Sequence, residues 1–117
     1  MKIELPEKVA IITGSTEGIG LGAAKQLAQC GAKVIVNGRT EQKVAQAVDA
    51  VKQAVAGADV SGVAADLSTA EGCNRLIEAV PGADILVNNL GIYGTQDFFE
   101  TDDETWQQYY DVNVMSA

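Results

Sequence analysis

The stretch Val9-Ala10-Ile11-Ile12-Thr13-Gly14-Ser15-Thr16-Glu17-Gly18-Ile19-Gly20 decides the fold of this 117-residue chain. Its first four residues form a continuous apolar run, which is typical of a parallel strand covered on both faces. Three glycines follow, and an apolar pattern at helical spacing begins after them. A strand, a glycine-rich turn and a helix in this order predict a phosphate site, because the turn directs backbone N–H groups and the positive helix end to one place. A plain tight turn, with Gly20 packing the helix on the sheet, is the alternative.

The same alternation continues along the rest of the chain. Apolar runs at 34–36, 60–64 and 85–87 predict three more strands, with the run at 60–64 nearer the sheet edge, and helical patterns separate them. Ser68-x-x-Glu71 and Thr101-x-x-Glu104 resemble capping boxes and predict the starts of the third and fourth helices. The βα order predicts a single α/β domain over residues 1–117, with a doubly wound parallel sheet in the strand order 3-2-1-4.

Composition excludes several classes of function. The chain has 16 acidic and 8 basic residues and a formal net charge of −8, so nucleic acid would repel it. It has no histidine, and its two cysteines, Cys30 and Cys73, lie far apart, so we expect no metal site and two reduced thiols. No apolar run reaches membrane-spanning length, and the N-terminus is mixed in charge. We therefore expect a cytoplasmic protein with no membrane partner.

The spacing of the glycines narrows the cofactor class. It differs from the GxGxxG of the common dinucleotide turn, and the Gly-Lys-Ser/Thr ending of a nucleoside-triphosphate loop is absent from the sequence. Instead, Thr13-Gly14-x-x-x-Gly18-Ile19-Gly20 resembles the cofactor turn of the short-chain dehydrogenase/reductase family. Asp66-Leu67 resembles the family's acidic position that contacts the adenine ring. Asn88-Asn89-Leu90-Gly91 resembles its Asn-Asn-Ala-Gly motif, with Leu90 in place of alanine.

The resemblance covers the whole chain and implies a Rossmann-type fold in an oxidoreductase that moves a hydride between NAD(P) and a small ketone or alcohol. Asn113 resembles the first member of the family's Asn-Ser-Tyr-Lys tetrad, in which it bends the helix and holds a water of the proton relay through its main-chain carbonyl. A homo-oligomer is also implied, because the fourth helix of this family commonly packs against another subunit. The cofactor contacts that we expect are Gly14, Ser15, Thr16, Gly18, Ile19, Gly20, Arg39, Asp66, Leu67, Asn89 and Gly91.

Several of these residues also have simpler interpretations. Asp66 follows a strand and could cap a turn through its carboxylate. Asn88 and Asn89 end an apolar strand, where two amides either tie loops together or line a cleft. The resemblance implies that Asn89 lies along the cofactor and that Asn88 is the more structural. Asn113 comes seven positions after Trp106, so we expect it to face inward with the aromatic residues.

The end of the second strand indicates which nicotinamide cofactor is used. Folds that select NAD place an acid there for the ribose 2′-hydroxyl, whereas folds that select NADP supply an arginine for the 2′-phosphate. Here Gly38 stands at the acid position and Arg39 follows it, which favours NADP over NAD. Arg39 could instead be a solvated charge at a helix entry. NADP-preferring relatives often carry a basic residue where this chain has Glu17, whose carboxylate would oppose a nearby 2′-phosphate.

The resemblance also implies a serine, a tyrosine and a lysine four residues after it, since the lysine lowers the pKa of the phenol. Tyr93, Tyr109 and Tyr110 lack such a lysine. We therefore expect the Ser/Tyr/Lys segment beyond residue 117, with this chain as an N-terminal portion that turns over no substrate alone. A non-catalytic nucleotide-binding or regulatory module is the alternative.

Overall fold

A computed structural model describes residues 3–92 and 97–117, so Tyr93 lies outside the described residues. Strands and helices alternate as the sequence predicts. In chain order they are β1 (Val9–Ile12), α1 (Gly18–Gln29), β2 (Lys33–Gly38), α2 (Glu41–Ala54), β3 (Val60–Ala64), α3 (Ala70–Ala79) and β4 (Ile85–Val87). A 3-10 turn at Phe98–Glu100 precedes α4 (Asp103–Tyr110), which continues into a π-helical segment at Asp111–Met115.

The four strands form one parallel sheet in the order β3-β2-β1-β4, which confirms the predicted topology. In this register Ile11 of β1 lies opposite Ile35 of β2 and Leu86 of β4. All four strands therefore end at the same edge of the sheet, where open α/β sheets bind ligands. The weaker run of β3 lies at one outer edge, as its Ser61 and Gly62 predict.

Helices cover both faces of the sheet, because neighbouring residues of each buried strand point to opposite sides. Ala10 and Ile12 face the layer of α1 and α2, whereas Ile11 faces the layer of α3. The first layer is the larger and includes Ala24, Ala28, Val44, Ala47 and Val51 from its two helices. Among the described residues, no helix has the length and apolar character needed to cross a membrane.

Two predicted helix caps are wrong by one residue. Thr69, not Ser68, caps α3, since its hydroxyl oxygen accepts a hydrogen bond from the backbone N–H of Gly72 at 3.0 Å. Asp102, not Thr101, caps α4 and accepts from the backbone N–H of Thr105 at 2.7 Å. In both cases two adjacent residues can cap, and a local hydrogen bond engages the hydroxyl of the first: Ser68 donates to Asp66 and Thr101 donates to the Asp97 carbonyl.

Two helical glycines offer a matched test of this packing. A Cβ at Gly72 would overlap the main-chain carbonyl of Asp66, whereas a Cβ at Gly22 would meet no described heavy atom within 4 Å. We expect Gly72→Ala to lower the free energy of unfolding by about 2–3 kcal/mol, because backbone must move. Gly22→Ala should raise it by about 0.5–1 kcal/mol, since alanine restricts the unfolded chain. Urea denaturation measures both, and two small equal effects would contradict the close approach of α3 to Asp66.

Candidate functional site

The glycine-rich turn lies at the carboxyl edge of β1 and has a strained path that only glycine adopts readily. Gly14 and Gly18 have φ values of 59° and 61°, in the left-handed region. A Cβ at Gly20 would come 2.5 Å from the side-chain nitrogen of Asn89 and 2.6 Å from the carbonyl oxygen of Gly14. Gly20 thus brings α1 close to the turn, which is the packing role that the simpler interpretation gives it.

The N-terminus of α1 is open beside this turn. Glu17 occupies the N-cap position, but its side chain makes no capping hydrogen bond to the part of the chain that the structure describes. The first amides of a helix have no acceptor inside the helix, so the N–H groups of Gly18, Ile19 and Gly20 depend on a ligand or solvent. Ile19 is 86% exposed. Open amides at a positive helix end can bind a phosphate.

Ser15 holds the turn from inside the protein. It is fully buried, its hydroxyl donates to the Ile12 carbonyl at 2.7 Å, and its Oγ accepts from the backbone N–H of Asn37 at 2.9 Å. Its own N–H donates to the Asn37 carbonyl at 2.9 Å. The structure therefore engages the polar side chain of Ser15 inside the fold, which differs from the cofactor contact that we expected.

Asn37 joins the ends of three strands and was missed as a site residue from the sequence. It is 1% exposed, and its Oδ1 accepts from the backbone N–H of Gly14 at 3.2 Å. Its Nδ2 donates to the carbonyls of Val63 and Ala65 at 3.2 and 3.3 Å. An amide in an otherwise apolar strand must find partners when buried, and this was the signal that could have identified it.

Thr13 and Asn89 join the turn to the end of β4. The Thr13 hydroxyl oxygen accepts from the backbone N–H groups of Asn89 and Leu90, each at 3.0 Å. The Asn89 side chain donates to the carbonyls of Gly14 at 3.0 Å and Thr13 at 3.2 Å. Asn88 is exposed and its side chain makes no hydrogen bond to the described residues. Within the described residues, the amide that joins the turn to the end of β4 is therefore Asn89, and a structural role for Asn88 stays a prediction.

Asp66 follows β3 and forms the local turn that its simpler interpretation predicts. Its Oδ1 accepts from the backbone N–H of Ser68 at 3.0 Å and from the Ser68 hydroxyl at 2.6 Å. These bonds hold the pKa of the Asp66 carboxyl below its usual value of 3.8; the Ser68 hydroxyl contributes most, partial burial opposes it, and the positive charge of Arg39 helps. Leu67 is 3% exposed and packs in the core layer of α3, so its side chain lies away from the edge.

Arg39 lies at the same edge as Asp66. It directly follows β2, its side chain is exposed, and its charge acts on the Asp66 carboxylate. The edge therefore brings together the open end of α1, Arg39 and Asp66, with Gly91 after β4 on the far side of the turn. Within residues 3–92 and 97–117, no group of three or more Cys, Asp or Glu residues could hold a metal ion.

Asn113 lies in the π-helical segment Asp111–Met115, so the helix changes its hydrogen-bonding pattern where the resemblance implies a bend. Its Oδ1 accepts from the backbone N–H of Ile92 at 2.8 Å, and its Nδ2 donates to the Ile92 carbonyl at 3.0 Å. The expectation that it faces inward with Trp106 is wrong: Asn113 is exposed and Trp106 is 53% exposed. The amide instead ties α4 to the loop after Gly91.

The parallel sheet, the glycine turn and the open helix end define an α/β protein of the nucleotide-binding class. A family model described as short chain dehydrogenase matches residues 8–117. The chain belongs to this family, the short-chain dehydrogenases/reductases.

Relatives of known sequence and structure match nearly all of the chain. The chain is 49% identical over 117 residues to "Uncharacterized oxidoreductase YvaG" of Bacillus subtilis (strain 168). The match covers all of this chain and 44% of that protein. L-Sorbose reductase from Gluconobacter frateurii, complexed with NADPH and L-sorbose, is 38% identical with a TM-score of 0.92, over 99% of this chain and 45% of that one. "NADH-dependent reductase A1-R' complexed with NAD" is 32% identical with a TM-score of 0.80, and the match covers 95% of this chain and 48% of that one. The chain thus spans less than half the length of these relatives.

Two asparagines at the edge provide a matched test of the turn's support. We expect Asn37→Ala to lower the free energy of unfolding by about 3 kcal/mol, because it leaves the Gly14 N–H and two strand carbonyls without a buried partner. Asn88→Ala, at an exposed position, should change it by less than about 0.5 kcal/mol. Chemical denaturation measures both values. Similar losses for the two variants would show that Asn37 does not have the role that its contacts indicate.

The pKa of Asp66 tests the electrostatics of the edge. We expect Ser68→Ala to raise this pKa towards 3.8, since the Ser68 hydroxyl is the largest cause of the shift, and Arg39→Ala to raise it less. A native pKa below the unfolded value stabilises the fold above the unfolded pKa, and this contribution is lost as the pH falls through the native pKa. The difference in unfolding free energy between Ser68→Ala and the native protein should therefore become smaller as the pH falls. Carboxyl-carbon NMR titration measures the pKa, and an unchanged value in Ser68→Ala would contradict the assigned cause.

Proposed function

We propose that residues 1–117 form a single NAD(P)-binding unit of an NADP-dependent oxidoreductase, which transfers a hydride between the nicotinamide and a small carbonyl or alcohol substrate. The observation that carries the proposal is the open N-terminus of α1 behind a left-handed glycine turn. The space beside Gly18 is open to a ligand, because a Cβ built there would meet no described heavy atom within 4 Å. A pyrophosphate would be held by the amides of Gly18, Ile19 and Gly20.

Support for a dinucleotide, and not a lone phosphate, comes from the extent of the edge. Arg39 and Asp66 follow β2 and β3 on one side of the turn, and Asn89 and Gly91 follow β4 on the other. The strand order reverses between these two sides, and a crevice at such a switch point is where α/β sheets bind ligands. We propose that the adenosine half contacts Thr16, Arg39 and Asp66, and that the nicotinamide half extends past Gly14 towards Asn89 and Gly91.

The preference for NADP rests on charge. Arg39 is exposed at the carboxyl end of β2, and a guanidinium can bind a 2′-phosphate through two parallel hydrogen bonds. Arg39 lies near enough to Asp66 for its positive charge to help lower the pKa of that carboxyl, which places the guanidinium close to the end of β3. The NADPH bound in L-sorbose reductase supports this choice, whereas the NAD bound in reductase A1-R' represents the alternative cofactor.

Nicotinamide supplies the hydride when it is bound, and the residues of this chain bind and orient it. We propose that Asn113 positions the loop after Gly91 through its two hydrogen bonds to Ile92. The sequence contains no tyrosine followed four residues later by lysine, so we assign proton transfer to the part of the longer relatives that this chain does not match. A cytoplasmic location remains part of the proposal.

We also propose that the parent protein is a homo-oligomer that uses the face of α4. Phe98, Phe99, Trp106 and Tyr110 are each at least half exposed, and the Phe98 and Trp106 rings meet edge to face at 6.1 Å between centroids. Exposed aromatic clusters of this kind mark interaction surfaces. The family's use of this helix between subunits supports the assignment.

The cofactor preference is tested with the two arginines of the chain. We expect Arg39→Ala to weaken NADP binding by roughly tenfold or more, because a lost charge-assisted contact is worth about 1.5–3 kcal/mol, and to leave NAD binding nearly unchanged. Arg75→Ala is the matched control, since Arg75 donates to the Ala64 carbonyl at the outer edge. Titration calorimetry with each dinucleotide measures the affinities. Equal losses of affinity for NADP and NAD in Arg39→Ala would contradict the proposed preference. If the complete protein bound NADPH but did not oxidise it with any carbonyl substrate, the non-catalytic module would be favoured.

A further inference from the structure

Position 38 favours glycine because neighbouring side chains leave no room for a Cβ, and not because of its backbone conformation. It is the last residue of β2 and pairs with Ala64 of β3, and its carbonyl accepts from the backbone N–H of Ala65 at 2.9 Å. Its φ lies outside the left-handed region in which Gly14 and Gly18 are found. A glycine inside a strand often marks a close approach of another group.

The group that approaches Gly38 is the side chain of Thr16. A Cβ at position 38 would overlap the Thr16 methyl group, and it would lie 3.2 Å from a methyl of the buried Val44. The Cβ of Thr16 is 3.6 Å away, which is ordinary van der Waals contact. One methyl group of Thr16 is therefore the main obstacle to any side chain at position 38.

The obstacle is fixed in place by the turn. Ser15, the neighbour of Thr16, donates from its backbone N–H to the carbonyl of Asn37, the neighbour of Gly38. The buried Asn37 side chain also accepts from the N–H of Gly14, so the turn cannot retreat from β2 without breaking buried hydrogen bonds. Threonine is branched at Cβ and has few alternative rotamers, so the methyl has little freedom to move aside.

Position 38 is where an acid would select NAD, so this contact has a consequence for cofactor choice. We propose that Thr16 is a specificity-determining residue, whose methyl group keeps position 38 as glycine and thereby excludes the NAD-selecting carboxylate. The inference rests on the proposed binding of NADP at this edge. It assigns the preference to a packed pair, Thr16 and Gly38, in addition to the charge of Arg39.

Two substitutions of Thr16 separate its methyl group from its hydroxyl. Thr16→Ser removes the methyl and keeps the hydroxyl, whereas Thr16→Val keeps a methyl and removes the hydroxyl. Each is combined with Gly38→Ala, and thermal unfolding of the purified protein is measured for all single and double variants. We expect Gly38→Ala to lower the Tm by roughly 5 °C in the native and Thr16→Val backgrounds, and by much less with Thr16→Ser. An equal loss in all three backgrounds would overturn the steric coupling.

The effect on specificity is measured with Gly38→Asp in the same backgrounds, using calorimetry with NAD and with NADP. We expect Thr16→Ser/Gly38→Asp to shift the affinity ratio towards NAD by roughly tenfold more than Gly38→Asp alone, since only the double variant has room for the carboxylate. A full shift with Gly38→Asp alone, or with Thr16→Val/Gly38→Asp, would overturn the proposal. If the parent protein bound neither dinucleotide, the proposed function and the specificity role would both fail, while the Tm cycle with Gly38→Ala would still decide whether Thr16 restricts position 38.

Discussion

The buried side chain of Asn37 is the interaction on which the carboxyl edge of the sheet depends. Its amide accepts from the turn after β1 and donates to two carbonyls at the end of β3, while its own main chain belongs to β2 and bonds to Ser15. One side chain thus fixes three strand ends relative to one another. Because a buried amide is costly without its partners, separating these strand ends would be unfavourable. The turn that leads into α1 is consequently held to β2 by buried hydrogen bonds at Gly14 and Ser15.

The fold was predictable because the signals that determine it are local or periodic. Continuous apolar runs identified three of the strands, a weaker run interrupted by Ser61 and Gly62 identified β3, and the βα alternation with right-handed crossovers gave the strand order. The motif residues at the edge were predicted from short local sequence motifs. Their hydrogen-bond partners could not be predicted, since the side-chain bonds of Asn37 and Asn89 join residues 23 to 76 positions apart. Without those contacts, the inward bonding of the Ser15 hydroxyl and the structural bonds of Asn89 could not be predicted. The helix caps were misplaced because local bonds to Asp66 and Asp97 engage the hydroxyls of Ser68 and Thr101.

Charge and packing act together at the end of β2. The chain carries a net charge of −8, so an anionic dinucleotide needs a local region in which positive groups dominate. In the proposed site, the positive end of α1 and Arg39 would provide it, and the nearby Asp66 has its carboxylate turned to Ser68 through two hydrogen bonds to Oδ1. A further acid at position 38 would reduce this positive character. The contact between Thr16 and Gly38 opposes that acid sterically, so the packing preserves the electrostatic balance.

Asn113 connects this edge to the helix where the family's reaction chemistry begins. Both polar atoms of its side chain bond to the main chain of Ile92, and each atom keeps one further hydrogen-bonding position. The resemblance implies that the main-chain carbonyl at this position takes part in proton transfer, and that role stays a prediction. The π-helical segment supplies the structural means, because such segments depart from regular α-helical bonding and often occur at functional sites. The amide of Asn113 thus ties the altered helix to Ile92 in the loop after Gly91.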